Sequence, residues 1–242
     1  MRKALSALTV LFLAAHAACL PSTFADLDAI NFALGVRDFD VAKHQPHPPG
    51  YPIFIAAAKA STAAAGAAGV PAPDVRGLAL LSALSGALLI PLLFWLSREL
   101  IGDDPTAAWA AVVVGVSPLF WVNAARPLSD LTGLAIVVCA QALLASVVLR
   151  RGAPRASRRL LAGALIAGVA IGVRSQSFVL TLPLLALALA TPGIGLRGRD
   201  RIAAVAAVAL GCLVWFLPLL AAAGGPEAYL AALRAQASED FG

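Results

Sequence analysis

Two carboxylates, Asp26 and Asp28, stand just behind an apolar first segment. They are followed by the stretch His44-Gln45-Pro46-His47-Pro48-Pro49-Gly50-Tyr51-Pro52. A carboxylate at the end of a membrane span can serve as a general base that takes a proton from an acceptor hydroxyl. Aspartate ordinarily titrates near pH 4, and partial burial beside lipid would raise its pKa toward a useful range. Asp28 is the first choice for that base and Asp26 the second. The competing reading is that either one caps a helix beginning at Ala29, which needs a side-chain acceptor there; one cap leaves the other carboxylate unexplained. In the second stretch the prolines fix φ and remove backbone donors, while Gly50 admits a sharp reversal, so His44, His47 and Tyr51 are held by a stiff turn. The imidazoles could donate to a phosphate or a sugar hydroxyl, or join an Asp on a divalent cation. Because no regular helix aligns them, plain hydrogen bonding is favoured, and no cofactor is required.

Two arginines and a third carboxylate complete the candidate set: Arg126 and Asp130 in Asn123-Ala-Ala-Arg126-Pro-Leu-Ser129-Asp130, and Arg174 at a break between two apolar halves. Arginine's forked donors suit a phosphate leaving group. The alternative roles are neutralising Asp130 or snorkelling to lipid headgroups. Asp130 could orient the acceptor or hold a cation.

Placing these groups requires a membrane. The chain has 242 residues, of which 60% are hydrophobic and 13% charged, with a mean hydropathy of +0.87. That leaves too little polar surface for a soluble globule. Alanine and leucine dominate without strand-like alternation, so the expected fold is all-α and polytopic. The formal net charge of +5 comes from arginines in short loops, a topological signal that does not call for nucleic acid. Cys19, Cys139 and Cys212 lie in apolar stretches and are expected as small core residues. Trp95, Trp109, Trp121 and Trp215 lie near span ends and are expected as interfacial anchors.

The apolar segments run over 4–23, 52–70, 78–97, 106–122, 131–149, 160–173, 176–191 and 202–221. Ala15-His16-Ala17 ahead of Ala18 and Cys19 mimics a signal-peptide cleavage site, but an uncleaved anchor is favoured because the rest already spans repeatedly. Arg2, Lys3, Arg98, the cluster from Arg150 to Arg159, and Arg197, Arg199 and Arg201 all fall on the cytoplasmic side only if residues 52–70 do not cross. The expectation is therefore about seven transmembrane helices, with a re-entrant or interfacial helix in a first outer loop over residues 24–77. The N-terminus is cytoplasmic and the protein sits in the plasma membrane of the cell. Asp26, Asp28, Lys43, His44, His47, Arg126, Asp130, Arg174, Glu239 and Asp240 then share the extracytoplasmic side, where charges at membrane depth are usually paired or used. The stretch from Gly224 to Gly242 reads as the start of another acceptor-side segment.

Taken together, these residues resemble the polytopic GT-C glycosyltransferases, in particular bacterial relatives of the protein O-mannosyltransferases and the glycosyltransferase family 39-like enzymes. The features that carry the resemblance are Asp28 after the first span, the His47-Pro48-Pro49-Gly50-Tyr51-Pro52 turn, Ser117-Pro118-Leu119-Phe120-Trp121 ending a span, and Ser129-Asp130. The resemblance implies an outer-loop Asp as base, a sugar on a polyprenyl phosphate as donor, a hydroxyl acceptor on a glycan, lipid or protein, and inversion at the anomeric carbon. It also implies that residues 1–242 form a single transmembrane domain, the N-terminal part of a longer enzyme or a reduced homologue. The acidic doublet of eukaryotic O-mannosyltransferases is replaced here by Asp26-x-Asp28. Two rival functions are a lipid-linked-saccharide transporter or flippase, which would show paired halves, and a non-catalytic assembly subunit, which would need no outer acidic pair.

Overall fold

A computed structural model describes residues 1–150 and 155–241. Arg151 lies outside the described residues, as do the side chains of Arg2 and Asp240. Among the described residues the chain is all-helical, with a single isolated bridge between Asp40 and Gln45. The helices are α1 (Arg2–Ala18), α2 (Leu27–Arg37), α3 (Pro52–Ala67), α4 (Pro73–Ile101), α5 (Asp104–Gly115), α6 (Pro118–Ala125), α7 (Asp130–Leu149), α8 (Ala156–Val173), α9 (Ser177–Ala190), α10 (Gly198–Ala222) and α11 (Pro226–Phe241).

Four of these, α4, α7, α8 and α10, are long and apolar enough to cross a membrane, and the bent pair α5 and α6 makes a fifth if it is one span. Helices α1 and α9 are apolar but shorter; at 14 residues α9 rises about 21 Å against a hydrocarbon core of about 30 Å. Of the expected seven spans, the four long helices and the bent pair reach spanning length, while α1 and α9 are apolar helices that fall short of it.

The segment expected as one apolar run over 106–122 is broken, with its halves 57° apart. The cause is local. Pro118 cannot donate to the preceding turn and so begins a new helix, whose Phe120 N–H is capped by the Ser117 hydroxyl at 3.3 Å. Ser117-Pro118 therefore opens α6 instead of closing a span. Side chains take up carbonyls around the short helix: His16, buried in α1, contacts the Trp121 carbonyl at 3.1 Å, and Ser82 donates to the Asn123 carbonyl at 3.2 Å.

Helix α3 runs back along the first half of α4. A Cβ on Gly77 would sit 2.6 Å from Thr62 Cα, and the Ser61 hydroxyl donates to the Gly77 carbonyl at 2.7 Å. Its apolar side, through Phe54, Ile55 and Ala58, joins a buried cluster with Phe32, Leu78, Leu128 and Val173. That cluster lies under the candidate residues.

The tryptophans divide. Trp109 is 69% exposed, as an anchor would be. Trp215 instead donates to the Gly168 carbonyl at 3.0 Å, with its ring where a side chain on Gly172 would stand. Trp121 donates to the Gly115 carbonyl at 2.8 Å and packs edge-on against Phe12. Both tie helices together. Cys19 is exposed, while Cys139 and Cys212 are partly buried free thiols.

Two ends of the bundle differ in charge pattern. Where α4 and α7 end, Arg150 pairs with the buried Glu99 at 2.5 Å, and Arg98 pairs with Asp104 at 2.5 Å. Arg155, Arg197 and Arg199 also stand at this end, at the starts of α8 and α10. The opposite end carries Asp26, Asp28 and Asp130.

Helix α2 touches the proline turn through a glycine. A Cβ on Gly35 would lie 2.7 Å from Pro46 Cδ and 2.9 Å from the Gln45 carbonyl carbon. Gly35→Ala gains about 1 kcal/mol of helix propensity but overpacks a backbone contact at a cost of about 1–3 kcal/mol. A lower melting temperature in detergent is expected; an unchanged or higher one would show that α2 can move away from the turn freely.

Candidate active site

Four short connections bring the candidate residues to one end of the bundle: the entry to α2, the turn before α3, the α6–α7 break and the α8–α9 break. Asp26 is the N-cap of α2, and its Oδ1 accepts from the Asp28 N–H at 3.0 Å. An Asp at this position satisfies one of the helix's free donors and is worth about 1 kcal/mol. Its other oxygen accepts from the Arg126 guanidinium, which reaches over from the end of α6. The cap thus falls to Asp26, and the helix starts at Leu27, two residues before the expected Ala29.

Asp28 is left with a different role. Among the described residues no Lys or Arg lies within ion-pair distance of it; its facing charge-capable group is His47 Nδ1 at 3.8 Å. The protein leaves the Asp28 side chain 56% exposed. Exposure makes the carboxylate reachable by an incoming hydroxyl.

His47 is set by Tyr51. The Tyr51 hydroxyl lies 3.0 Å from His47 Nε2. Burial pushes that hydroxyl above the ordinary tyrosine range, with Arg174 pulling it down and Asp28 and Asp130 pushing it up. It therefore stays protonated at neutral pH and is able to donate to Nε2; in that tautomer the imidazole proton is on Nδ1, the nitrogen that faces the Asp28 carboxylate. Tyr51 itself adopts a left-handed conformation (φ 46°) as the N-cap of α3, ahead of Pro52. Such a conformation costs about 1–2 kcal/mol. It is offset here by edge-on packing of the ring against Phe32 and His47, each at 5.1 Å.

The second half of the site lies across Tyr51. Arg174 closes α8 and places Nη1 3.1 Å from Asp130 Oδ1 and 3.0 Å from the Ser129 hydroxyl, which is fully buried. Gly133 leaves room for the arginine stem, since a Cβ there would stand 3.2 Å from Arg174 Cβ. Below Asp130 and Arg174 a cleft of about 300 Å³ runs down between α7 and α9, lined by Leu131, Leu134, Val137, Ser177 and Leu180. A charged mouth over an apolar channel suits an amphiphile with an anionic head.

His44 is not part of this constellation. It sits in a left-handed turn with Nε2 3.8 Å from Glu239 of α11. The loop carrying it is fixed by Asp40, which caps Ala42 and pairs with Lys43 at 2.7 Å; Lys43 holds the Asp40 carboxyl below the usual range. Among the described residues no three of His, Cys, Asp and Glu gather into a metal-binding group.

Sequence reasoning did not find Ser129's contact to Arg174 or the support from α11. The buried Tyr229 hydroxyl donates to the Pro49 carbonyl at 3.1 Å. Contact partners 180 residues apart leave no local sequence signal. Tyr229→Phe should destabilise the protein by about 1 kcal/mol and lower activity severalfold by loosening the turn that holds His47. Full activity with an unchanged melting temperature would show that α11 does not steady the turn.

Residues 40–192, more than half the chain, match the family described as protein O-mannosyl-transferase TMEM260 N-terminal domain. The matched range includes His47, Tyr51, Arg126, Asp130 and Arg174 and begins after Asp26 and Asp28. No curated protein and no solved structure matches the chain.

Proposed function

Because the chain belongs to the protein O-mannosyl-transferase TMEM260 N-terminal domain family, we propose that it is a membrane glycosyltransferase of the O-mannosyltransferase type that uses a polyprenyl-phosphate-linked sugar on the outer membrane face. The observation that carries this reading is the convergence of Asp28, His47, Tyr51, Asp130 and Arg174 over an apolar cleft. The polyprenyl chain lies in the cleft and the phosphate meets Arg174, with Arg126 as a second contact. The acceptor hydroxyl approaches Asp28, which takes its proton as the oxygen bonds to the anomeric carbon. The bond from that carbon to the phosphate oxygen breaks, and the electron pair leaves with the polyprenyl phosphate, held by charge-assisted hydrogen bonds. Attack opposite the leaving group inverts the anomeric centre. His47 holds its Nδ1 toward Asp28 and orients the carboxylate. Asp130 positions Arg174 and offers a second acceptor to the sugar.

The outer-face assignment is supported by the segregation of Arg98, Arg150, Arg155, Arg197 and Arg199 to the other end, which the positive-inside tendency places in the cytoplasm. In this topology α3 stays on the outer side, against the ends of α4 and α10. The reading is tested by offering the protein in lipid vesicles a polyprenyl-phosphate mannose and, separately, a nucleotide-linked mannose. Transfer from the lipid-linked donor alone, with an inverted product, is expected. Transfer from the nucleotide sugar alone would overturn it, and an assembly role intact in an Asp28→Asn, Asp130→Asn double variant would favour a non-catalytic subunit.

A further inference from the structure

At the end of the bundle away from the aspartates, the starts of α8 and α10 meet around a cavity of about 370 Å³. Its walls include Arg155, Arg197 and Arg199, with Ser157 and Gly195 beside them and the buried Ile194 at its base. Among the described residues no carboxylate lies within ion-pair distance of these three arginines. The one acid in the wall, Asp200, accepts from the Arg197 backbone N–H at 2.8 Å and from the Ser157 side chain, and lies near enough to Arg199 and Arg197 to interact with their charges, so it offsets one of the three. The neighbouring Arg201 is also taken, donating to the Thr191 carbonyl at 2.9 Å. Three cationic side chains against one carboxylate leave a concave surface with an excess of positive charge, into which two helix N-termini add their partial charge.

Position decides what anion belongs there. Helices α8 and α10 are two of the four long enough to span, so a cavity at their first turns lies where a bilayer's headgroups begin. One turn further along α10, Ile202 and Val205 are 73% and 57% exposed. A molecule whose phosphate sits among the arginines would lay its acyl chains down this apolar face. We propose that this cavity is a binding site for the phosphate headgroup of an anionic membrane phospholipid, separate from the sugar-transfer site and independent of that reading. Basic pockets between spanning helices on the cytoplasmic side bind anionic lipid in this way. Its occupant would hold the starts of α8 and α10 together, and both helices run from there to the proposed active site.

Native mass spectrometry of the detergent-purified protein, mixed with equal amounts of phosphatidylglycerol and phosphatidylcholine, tests the assignment. The wild type should retain phosphatidylglycerol in preference by about tenfold, and millimolar inorganic phosphate should not displace it. Arg197→Gln with Arg199→Gln should abolish the preference. Arg158→Gln, which removes a charge at the same end outside the cavity, should leave it intact. Should the double variant fail to fold, Arg199→Gln alone, at an exposed position, is read the same way. The proposal is overturned by equal retention of both lipids by the wild type, by a preference that survives in the cavity variant, or by displacement with inorganic phosphate, which would make it a site for soluble phosphate groups.

Discussion

Asp28→Asn should lower sugar transfer by about 10²- to 10⁴-fold, the usual contribution of a positioned general base, in a protein that still folds. The substitution keeps the shape of the side chain and removes its basicity. It also leaves α2 intact, because the helix is capped by Asp26 and not by Asp28. The 56% exposure of the Asp28 side chain means that no buried charge is left unbalanced. The neighbouring substitution behaves differently. Asp26→Asn keeps a good capping residue but loses the charge that pairs with Arg126, so its effect on transfer is smaller and indirect. The two variants therefore separate a base from a scaffold. Comparable losses in both variants would mean that the two aspartates act as one structural unit.

Arg174→Gln should reduce kcat by about 10²- to 10³-fold, as expected for a donor aimed at charge that develops in the transition state. Lysine is not an adequate substitute. The guanidinium engages Asp130 and the buried Ser129 with one nitrogen, at 3.1 and 3.0 Å, and keeps other donors for a phosphate; an ammonium is a single point charge on a flexible stem. Arg174→Lys is expected to recover less than a tenth of the wild-type rate. Because the leaving phosphate gains charge only as the glycosidic bond breaks, the loss should appear in kcat more than in KM. A rise in KM with kcat unchanged would place Arg174 in donor binding without a part in bond cleavage. Stability should fall as well, by about 1–3 kcal/mol, since the buried Ser129 hydroxyl loses its partner.

Helices α1, α3, α4 and α7 to α10, with their rough limits, were legible from apolar runs and their breakers, whereas α2 and α11 carry no such run. The interruption at Arg174, Ser175 and Gln176 and the weakly apolar helix after Pro52 both follow from local composition. The break at Ser117-Pro118 was visible in the residues but was expected at the end of a span, because hydropathy runs on through Trp121 while proline chemistry does not. That His47 and Tyr51 share one turn was legible because the turn is short and stiff; that His47 faces Asp28 was not, since Asp28 belongs to a separate helix. His44 and His47 look equivalent in sequence; the left-handed turn at His44 sends it toward α11, and no local pattern records that. The division of labour between Asp26 and Asp28 was equally hidden, since it depends on Arg126, which lies 100 residues away and swings in to claim Asp26. Trp121 and Trp215 were expected as anchors at span ends; the absent side chain at Gly172 gives Trp215 an inward seat, while Trp121 stays 36% exposed with its indole N–H tied to the Gly115 carbonyl.

The most direct test of the account is transfer of radiolabelled mannose from polyprenyl-phosphate mannose by the protein in lipid vesicles, run side by side for wild type and Asp28→Asn after both are shown to melt alike. The account predicts transfer by wild type and a loss of at least about 10²-fold in the variant. A folded Asp28→Asn protein that transfers at the wild-type rate would contradict it.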